Sequence, residues 1–325
     1  MNTIRRVLVA VKDPQARSIP ALAKAAQLAR GLDARLELFH AMTWPIYAAS
    51  DPDFEAIKVR EIDRARARLD RLSVRVGGRG RRRLQVSVAA AWDSPAYEAI
   101  IRRATAIGAG LIIADQHAGP HFPLPLRFSD WELLRHSPIP VLLVKRKGSY
   151  RRPTVLAAVD PTHAMDKPAR LDTAILDIGA AVTQALGGRL HTVHSYDALS
   201  DATPLAKPLD PEAAAALHRK HAAAANGRYE RLLDRYEIPV SRRHLLNIPP
   251  ADAIQNVAAR IHGDIVILGA ISRTGWARLL IGDTAETVLD PLSCDLLVVK
   301  PPNFRPTVPK SLTGARFRSA LAFTP

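Results

Sequence analysis

Short runs of Val, Ile and Leu alternate along the chain with longer stretches in which apolar residues recur at helical spacing. Strands buried on both faces read as continuous apolar runs, and the helices crossing between them bury one face. This alternation therefore predicts parallel sheets covered by helices. The first run, Val7 to Val11, is followed by Asp13 and Pro14; its counterpart, Val155 to Val159, is followed by Asp160 and Pro161. Each predicts a strand ending in a polar turn. Beyond them Leu22, Ala25, Ala26 and Ala29 fall on one helix face, as do Leu171, Ile175, Ile178, Val182 and Leu186, and these faces should cover the sheet.

The correspondence extends along both halves. Arg35-Leu36 through His40 matches Arg189-Leu190 through His194 at an offset of 154, and the same offset carries Pro95 onto Pro249, Ile100 onto Ile254 and Leu111-Ile112-Ile113 onto Ile265-Val266-Ile267. At the ends, Val141 to Lys145 matches Leu296 to Lys300, where the offset has become 155. One register held over about 100 residues marks a duplication, with a boundary in the basic, Gly148-containing segment between Lys147 and Pro153. Each half reads strand, helix, strand, helix, strand, helix, strand, short helix, strand. Right-handed crossovers turn that order into a doubly wound sheet. The expected architecture is α/β: two tandem doubly wound parallel five-stranded sheets, spanning residues 1–150 and 151–305, with a basic, proline-containing tail at 306–325. The last strand of each half is apolar and would be an exposed edge if unpaired. The two are expected to meet across an internal pseudo-twofold, making the chain its own dimer and leaving room for a higher oligomer.

Composition narrows this picture. The 325 residues hold 46 Lys and Arg against 31 Asp and Glu, a net +15, yet 47% are hydrophobic, which excludes a disordered polybasic chain. The single cysteine, Cys294, excludes an intrachain disulfide or a multi-cysteine zinc site. The apolar run at the N-terminus stops at Lys12, too short for a signal peptide, and no run reaches the roughly 18 residues of a membrane span. A cytoplasmic protein is expected. Arg71, Arg75, Arg79 and Arg81 to Arg83 surround Gly77, Gly78 and Gly80, and the tail adds Arg305, Lys310, Arg316 and Arg318. Without stacking aromatics in the arginine-rich stretch, a solvated cationic surface is favoured over nucleic-acid binding.

Doubly wound sheets bind ligands beyond the carboxyl ends of their strands, at the point where strand order reverses. In the second half the fourth strand ends at Leu268 and Gly269, and Gly282-Asp283-Thr284 precedes a further helical stretch. Gly269 could admit a ligand to the backbone, and Gly282 could open a helix whose first amides are free donors for phosphate. Thr284 as an N-cap makes a purely structural turn an equal alternative. In the first half Asp115 stands at the position of Gly269 and Arg127 at that of Gly282, with Pro120 to Pro125 between, so no nucleotide is expected to bind residues 1–147 in this manner. His117-Ala118-Gly119-Pro120-His121 lies after the wrong strand for a nucleotidyl-transfer element. His191 and His194, three apart on a strand, face opposite sides and are poor joint metal ligands; His218 and His221 on a helix lack an acidic or cysteine companion.

The strand with Gly269, the span to Gly282 and the ending Cys294-Asp295-Leu296-Leu297-Val298-Val299-Lys300 resemble the universal stress protein family, of adenine-nucleotide alpha-hydrolase-like architecture. The duplication, Arg273-Thr274-Gly275 and the run from Gly282 through Thr287 are similar to its tandem E-type members. That family's nucleotide signature is Gly, two residues, Gly, nine residues, Gly, then Ser or Thr. Here the positions are Gly269, Ser272, Gly282 and Asp283, so two of four depart. The resemblance implies a stress-response protein whose second half binds ATP or a related nucleotide through Asp160, Ser195, Leu268, Gly269, Ser272, Gly282, Asp283 and Thr284. Asp283 beside phosphates calls for a cation: Arg273, Arg278 or magnesium. No nucleophile or general base stands out. The alternatives are a slow magnesium-dependent ATPase using Asp160 or Asp283, and a carrier or sensor of another anionic ligand.

Overall fold

The computed structural model describes residues 4–43, 53–78, 83–116, 125–161, 170–196, 210–270 and 292–309, with the main chain alone at 125–129 and 211. Two units emerge, one comprising the chain up to Tyr150 together with the segment from Asn303, the other Arg151–Pro302.

In the first unit β1 (Arg6–Ala10), β2 (Arg35–Met42), β3 (Val86–Trp92), β4 (Leu111–Asp115) and β5 (Val141–Val144) alternate with α1 (Pro20–Gly31), α2 (Phe54–Gly77), α3 (Ala96–Ala106) and α4 (Pro125–His136). The strands are parallel in the order β3-β2-β1-β4-β5, so β1 lies between β2 and β4 and the order reverses there. Their side chains explain the arrangement. Val7, Leu8, Val9, Ile112 and Ile113 are fully buried, which requires helices on both faces of the sheet. Leu22, Ala25, Ala26 and Ala29 of α1 are buried on it, matching the helical period of the sequence.

The helix α2 runs further than its arginines suggest. Arg71 and Arg75 lie within it, because Leu69 and Leu72 continue the buried stripe, and the left-handed Gly78 (φ 73°) follows its end. Phe54 at its start meets Trp92 of β3 edge to face at 5.3 Å. The segment after Asn303 is tied to this unit where Thr307 meets His136 at 2.7 Å.

The second unit repeats the plan with β6 (Thr154–Ala158), β7 (Arg189–Ser195), β8 (Arg243–Leu246), β9 (Ile265–Gly269) and β10 (Asp295–Val299), and with α5 (Arg170–Leu186), α6 (Pro211–Leu233) and α7 (Pro250–Arg260). Its parallel order is β10-β9-β6-β7-β8. Leu171, Ile175, Ile178 and Val182 of α5 are buried, while Leu186 in its last turn is half-buried. The Asp210 carboxylate caps α6 by accepting from the amides of Glu212 and Ala213 at 3.1 and 3.2 Å, beside Pro211 at the first helical position.

Candidate functional site

In the second unit the order reverses between β6 and β9, so the candidate site lies beyond their carboxyl ends. Asp160 follows β6, Ser195 ends β7 and Gly269 ends β9, and all three are half-buried at that end of three adjacent strands. Leu268 is buried in β9. Of the other residues singled out in the sequence, Ser272, Gly282, Asp283 and Thr284 lie outside the described residues, as do Arg273 and Arg278.

Each of the described site residues is held by a specific neighbour. The Asp160 amide donates to Asp172 Oδ1 of α5 at 2.9 Å, fixing the turn after β6 to the start of that helix. Ser195 donates its hydroxyl to the Ile248 carbonyl, and the Tyr196 amide donates to Leu246 O at 3.0 Å, so the end of β7 is tied to the end of β8. The Ser195 oxygen keeps acceptor capacity. Gly269 has a reason beyond ligand access: a Cβ there would lie 2.7 Å from Leu171 Cδ2 and 3.0 Å from Ile175 Cδ1. The bare backbone lets α5 settle onto β9. Ala270, fully buried, donates from its amide to Val299 O at 2.9 Å and carries the chain out of the sheet beside β10.

Asp172 was not singled out from the sequence, although it is fully buried and organises the mouth. A carboxylate in the first turn of an apolar helix was the available signal. His194, a poor metal ligand by its spacing from His191 and the repeat counterpart of His40, has its Nδ1 3.2 Å from the Val159 carbonyl. The internal repeat contains the same device, since His40 Nδ1 meets the Val11 carbonyl at 2.7 Å. A ring nitrogen facing a carbonyl is the protonated one, so both imidazoles carry hydrogen on Nδ1. Burial pushes the His40 pKa down, keeping that ring neutral.

The corresponding place in the first unit is built differently. Asp115, at the end of β4, accepts from the Ala21 amide at 2.8 Å and so caps α1 from across the sheet. Lys12, just past β1, forms an ion pair with Asp130 of α4 at 2.6 Å and donates to the Asp115 carbonyl. Burial pushes the Lys12 pKa down while Asp130 pulls it back up. A cation and two carboxylates thus occupy the ends of β1 and β4. The His117 to Pro123 stretch lies outside the described residues.

Elsewhere His191 and His194 do project to opposite faces, His191 toward His244 and His194 toward Tyr229. No group of three or more His, Cys, Asp or Glu that could hold a metal occurs among the described residues, and among them no helix is long and apolar enough to cross a membrane.

Comparison with known proteins identifies the repeat. A model of the universal stress protein family matches residues 3–145 and again 154–300. The chain belongs to the universal stress protein family. Among curated relatives, Universal stress protein E of Escherichia coli K12 is 27% identical over 232 residues, covering 69% of this chain and 71% of that protein. The Universal stress protein E homolog of Haemophilus influenzae is 31% identical over 179 residues, covering 53% of this chain and 55% of its own length, so the match spans about half of that relative. These matches make it a tandem protein of the E type. Among solved structures, a functionally unknown protein from Pseudomonas aeruginosa PAO1 is similar with a TM-score of 0.68 and 25% identity, over 92% of this chain and 94% of that one. A universal stress protein from Archaeoglobus fulgidus shares the fold at 13% identity and a TM-score of 0.56, over 93% of this chain and 98% of that one.

Proposed function

We propose that this tandem universal stress protein binds one molecule of ATP or a related nucleotide per chain, at the carboxyl ends of β6 and β9, and serves a cytoplasmic stress response through binding. The observation that carries this reading is the contrast between the two switch points. In the first unit Lys12, Asp115 and Asp130 occupy that place with their own ion pair and helix cap. In the second, Asp160, Ser195 and Gly269 end three neighbouring strands as small, half-buried groups. Asp160 is suited to accept from ribose hydroxyls and Ser195 to accept from an adenine amine or a hydroxyl. The segment with Ser272, Gly282, Asp283 and Thr284 is the expected phosphate-binding part, and magnesium there would offset the Asp283 carboxylate.

Calorimetric titration of the full chain with ATP and magnesium tests this. One site per chain is expected, weakened at least tenfold by Asp160→Asn with the melting temperature retained. Two sites per chain, or none, would sink it. Mass spectrometry of ligands kept through mild purification should show an adenine nucleotide. Phosphate release that disappears in Asp160→Ala would instead make the protein a slow ATPase.

A further inference from the structure

The duplication supplies an internal control for a second cluster, on the face of each sheet where the third helix of the repeat crosses it. In the first unit Glu37 of β2 is buried, and its carboxylate accepts from Arg103 of α3 at 2.6 Å and from Ser87 of β3 at 3.2 Å. The repeat register carries Glu37 onto His191, 154 residues on. There the acid is gone and so is its partner, since Arg103 falls on Val257, and a second histidine and Arg260 gather instead. His191 Nδ1 lies 3.1 Å from His244 Nε2, the two rings nearly coplanar at 4° with centroids 5.4 Å apart. Arg260, the last residue of α7, places a guanidinium nitrogen 3.1 Å from His244 Nδ1. The charges of Arg242 in the turn before β8 and of Arg189 of β7 also act on His191. Among the described residues no carboxylate pairs with Arg189, Arg242 or Arg260.

The protonation pattern follows from the contacts. A guanidinium can only donate, so His244 Nδ1 accepts and its proton sits on Nε2. That proton is donated to His191 Nδ1, which leaves the His191 proton on Nε2. All donors then run one way, from Arg260 through His244 to an outward N–H on His191. Burial, His244, Arg242 and Arg189 together hold the His191 pKa down at about 4, and burial with Arg260 lowers that of His244. The Arg260 guanidinium against the imidazole pair, with the charges of Arg242 and Arg189 acting on His191, favours an anion here.

We propose that a tetrahedral oxyanion of the phosphate class binds beside His191, supplying the negative charge that the Glu37 carboxylate supplies in the first unit, with His191, Arg189, Arg242 and Arg260 as its donors. This site is separate from the nucleotide site: His191 lies four residues, about 13 Å, back along β7 from Ser195. The same donors suit free phosphate or the terminal phosphoryl group of a larger molecule. An anion there draws protons onto the imidazoles, so binding is accompanied by proton uptake below neutral pH.

The test is titration of the full chain with inorganic phosphate, following the His191 and His244 ring protons by NMR, against sodium chloride at equal ionic strength. Saturable shifts with phosphate alone are expected, with the His191 pKa rising in the complex. Arg260→Gln should weaken binding at least tenfold and Arg260→Lys less. His191→Glu restores the first unit's acid: it should abolish phosphate binding and raise the melting temperature without phosphate, a gain that damage to the fold cannot imitate. Pyrophosphate binding more tightly than phosphate would assign the site to a phosphoryl chain end; equal affinity would assign it to the free ion. Shifts no larger than those with chloride, phosphate binding that survives His191→Glu, or saturation of the pair by one equivalent of Zn2+ in preference to phosphate would each overturn the proposal.

Discussion

The ends of β1 and β4 and the ends of β6 and β9 began as one structure and now solve the same local problem in two ways. Both must fix the start of the next helix to the strand ends. The first unit does so with Asp115 reaching from β4 to the Ala21 amide. The second reverses the direction, with Asp172 reaching from α5 to the Asp160 amide. The consequence is steric. With the carboxylate on the strand, the first unit's mouth holds charge that Lys12 and Asp130 complete. With the carboxylate on the helix, β9 can end in glycine and Leu171 can lie against it. One repeat position, Asp115 or Gly269, thus separates a strand end that carries charge from one against which Leu171 packs.

The sharpest way to break this comparison is to exchange the residues. Gly269→Asp should be the most damaging change, because its Cβ meets Leu171 and Ile175 and its charge enters apolar surroundings; a loss of about 4 kcal/mol in urea unfolding is expected. Asp130→Ala removes the carboxylate that faces Lys12 and should cost about 2 kcal/mol, less than a fully buried pair because Lys12 retains some exposure. It should not create a nucleotide site, since Asp115 remains; a second bound nucleotide in calorimetry would contradict the reading of the first unit.

A smaller effect sharpens the contrast in the cores. Where the first unit has buried Leu38, the second has Thr192, whose hydroxyl meets that of the buried Tyr229 at 2.6 Å. Tyr229 also accepts from the His244 amide at 3.2 Å, which ties it to β8 as well as to β7. Burial pushes its pKa up to about 12. Tyr229→Phe should cost about 1.5 kcal/mol in thermal or chemical unfolding. Asp115→Ala, which removes the cap on α1, should cost about 1 kcal/mol.

The smallest effect is on pH dependence. His191 binds its proton more weakly when folded, at about 4, than its ordinary value of 6.5. The unfolded chain therefore holds more protons between these values, and this histidine's contribution to stability is lost as pH falls from 6.5 toward 4. Melting curves over that range should flatten in His191→Gln. An unchanged slope would show that burial, His244, Arg242 and Arg189 do not weaken proton binding at His191.

Much of the fold was legible because burial on both faces leaves a mark in the residues themselves. Val7 to Val11 and Ile265 to Leu268 have few alternatives to buried parallel strands, and the 154-residue offset marks the duplication in the sequence itself. The site was less legible. Strand order marks the turn after the first strand, where Asp160 lies, while Ser195 rests on the resemblance, and the role of Asp172 depends on an amide 12 residues away across a turn. The Lys12 and Asp130 pair spans 118 residues, and no periodicity links them. The repeat did align His40 with His194, yet it gave no hint that both rings clasp the carbonyl that follows the first strand of their unit.

The sequence by itself determined the two copies, the order of elements in each and the parallel sheets, because apolar period and spacing are local properties of the chain. Only the tertiary structure decided which charges meet. Whether Glu37 finds Arg103, or His244 finds His191 and Arg260, depends on which side chains of separate strands and helices are brought within about 3 Å. Hydrogen bonds and ion pairs act over that short range, so their partners are fixed by packing across the sheet and not by distance along the chain.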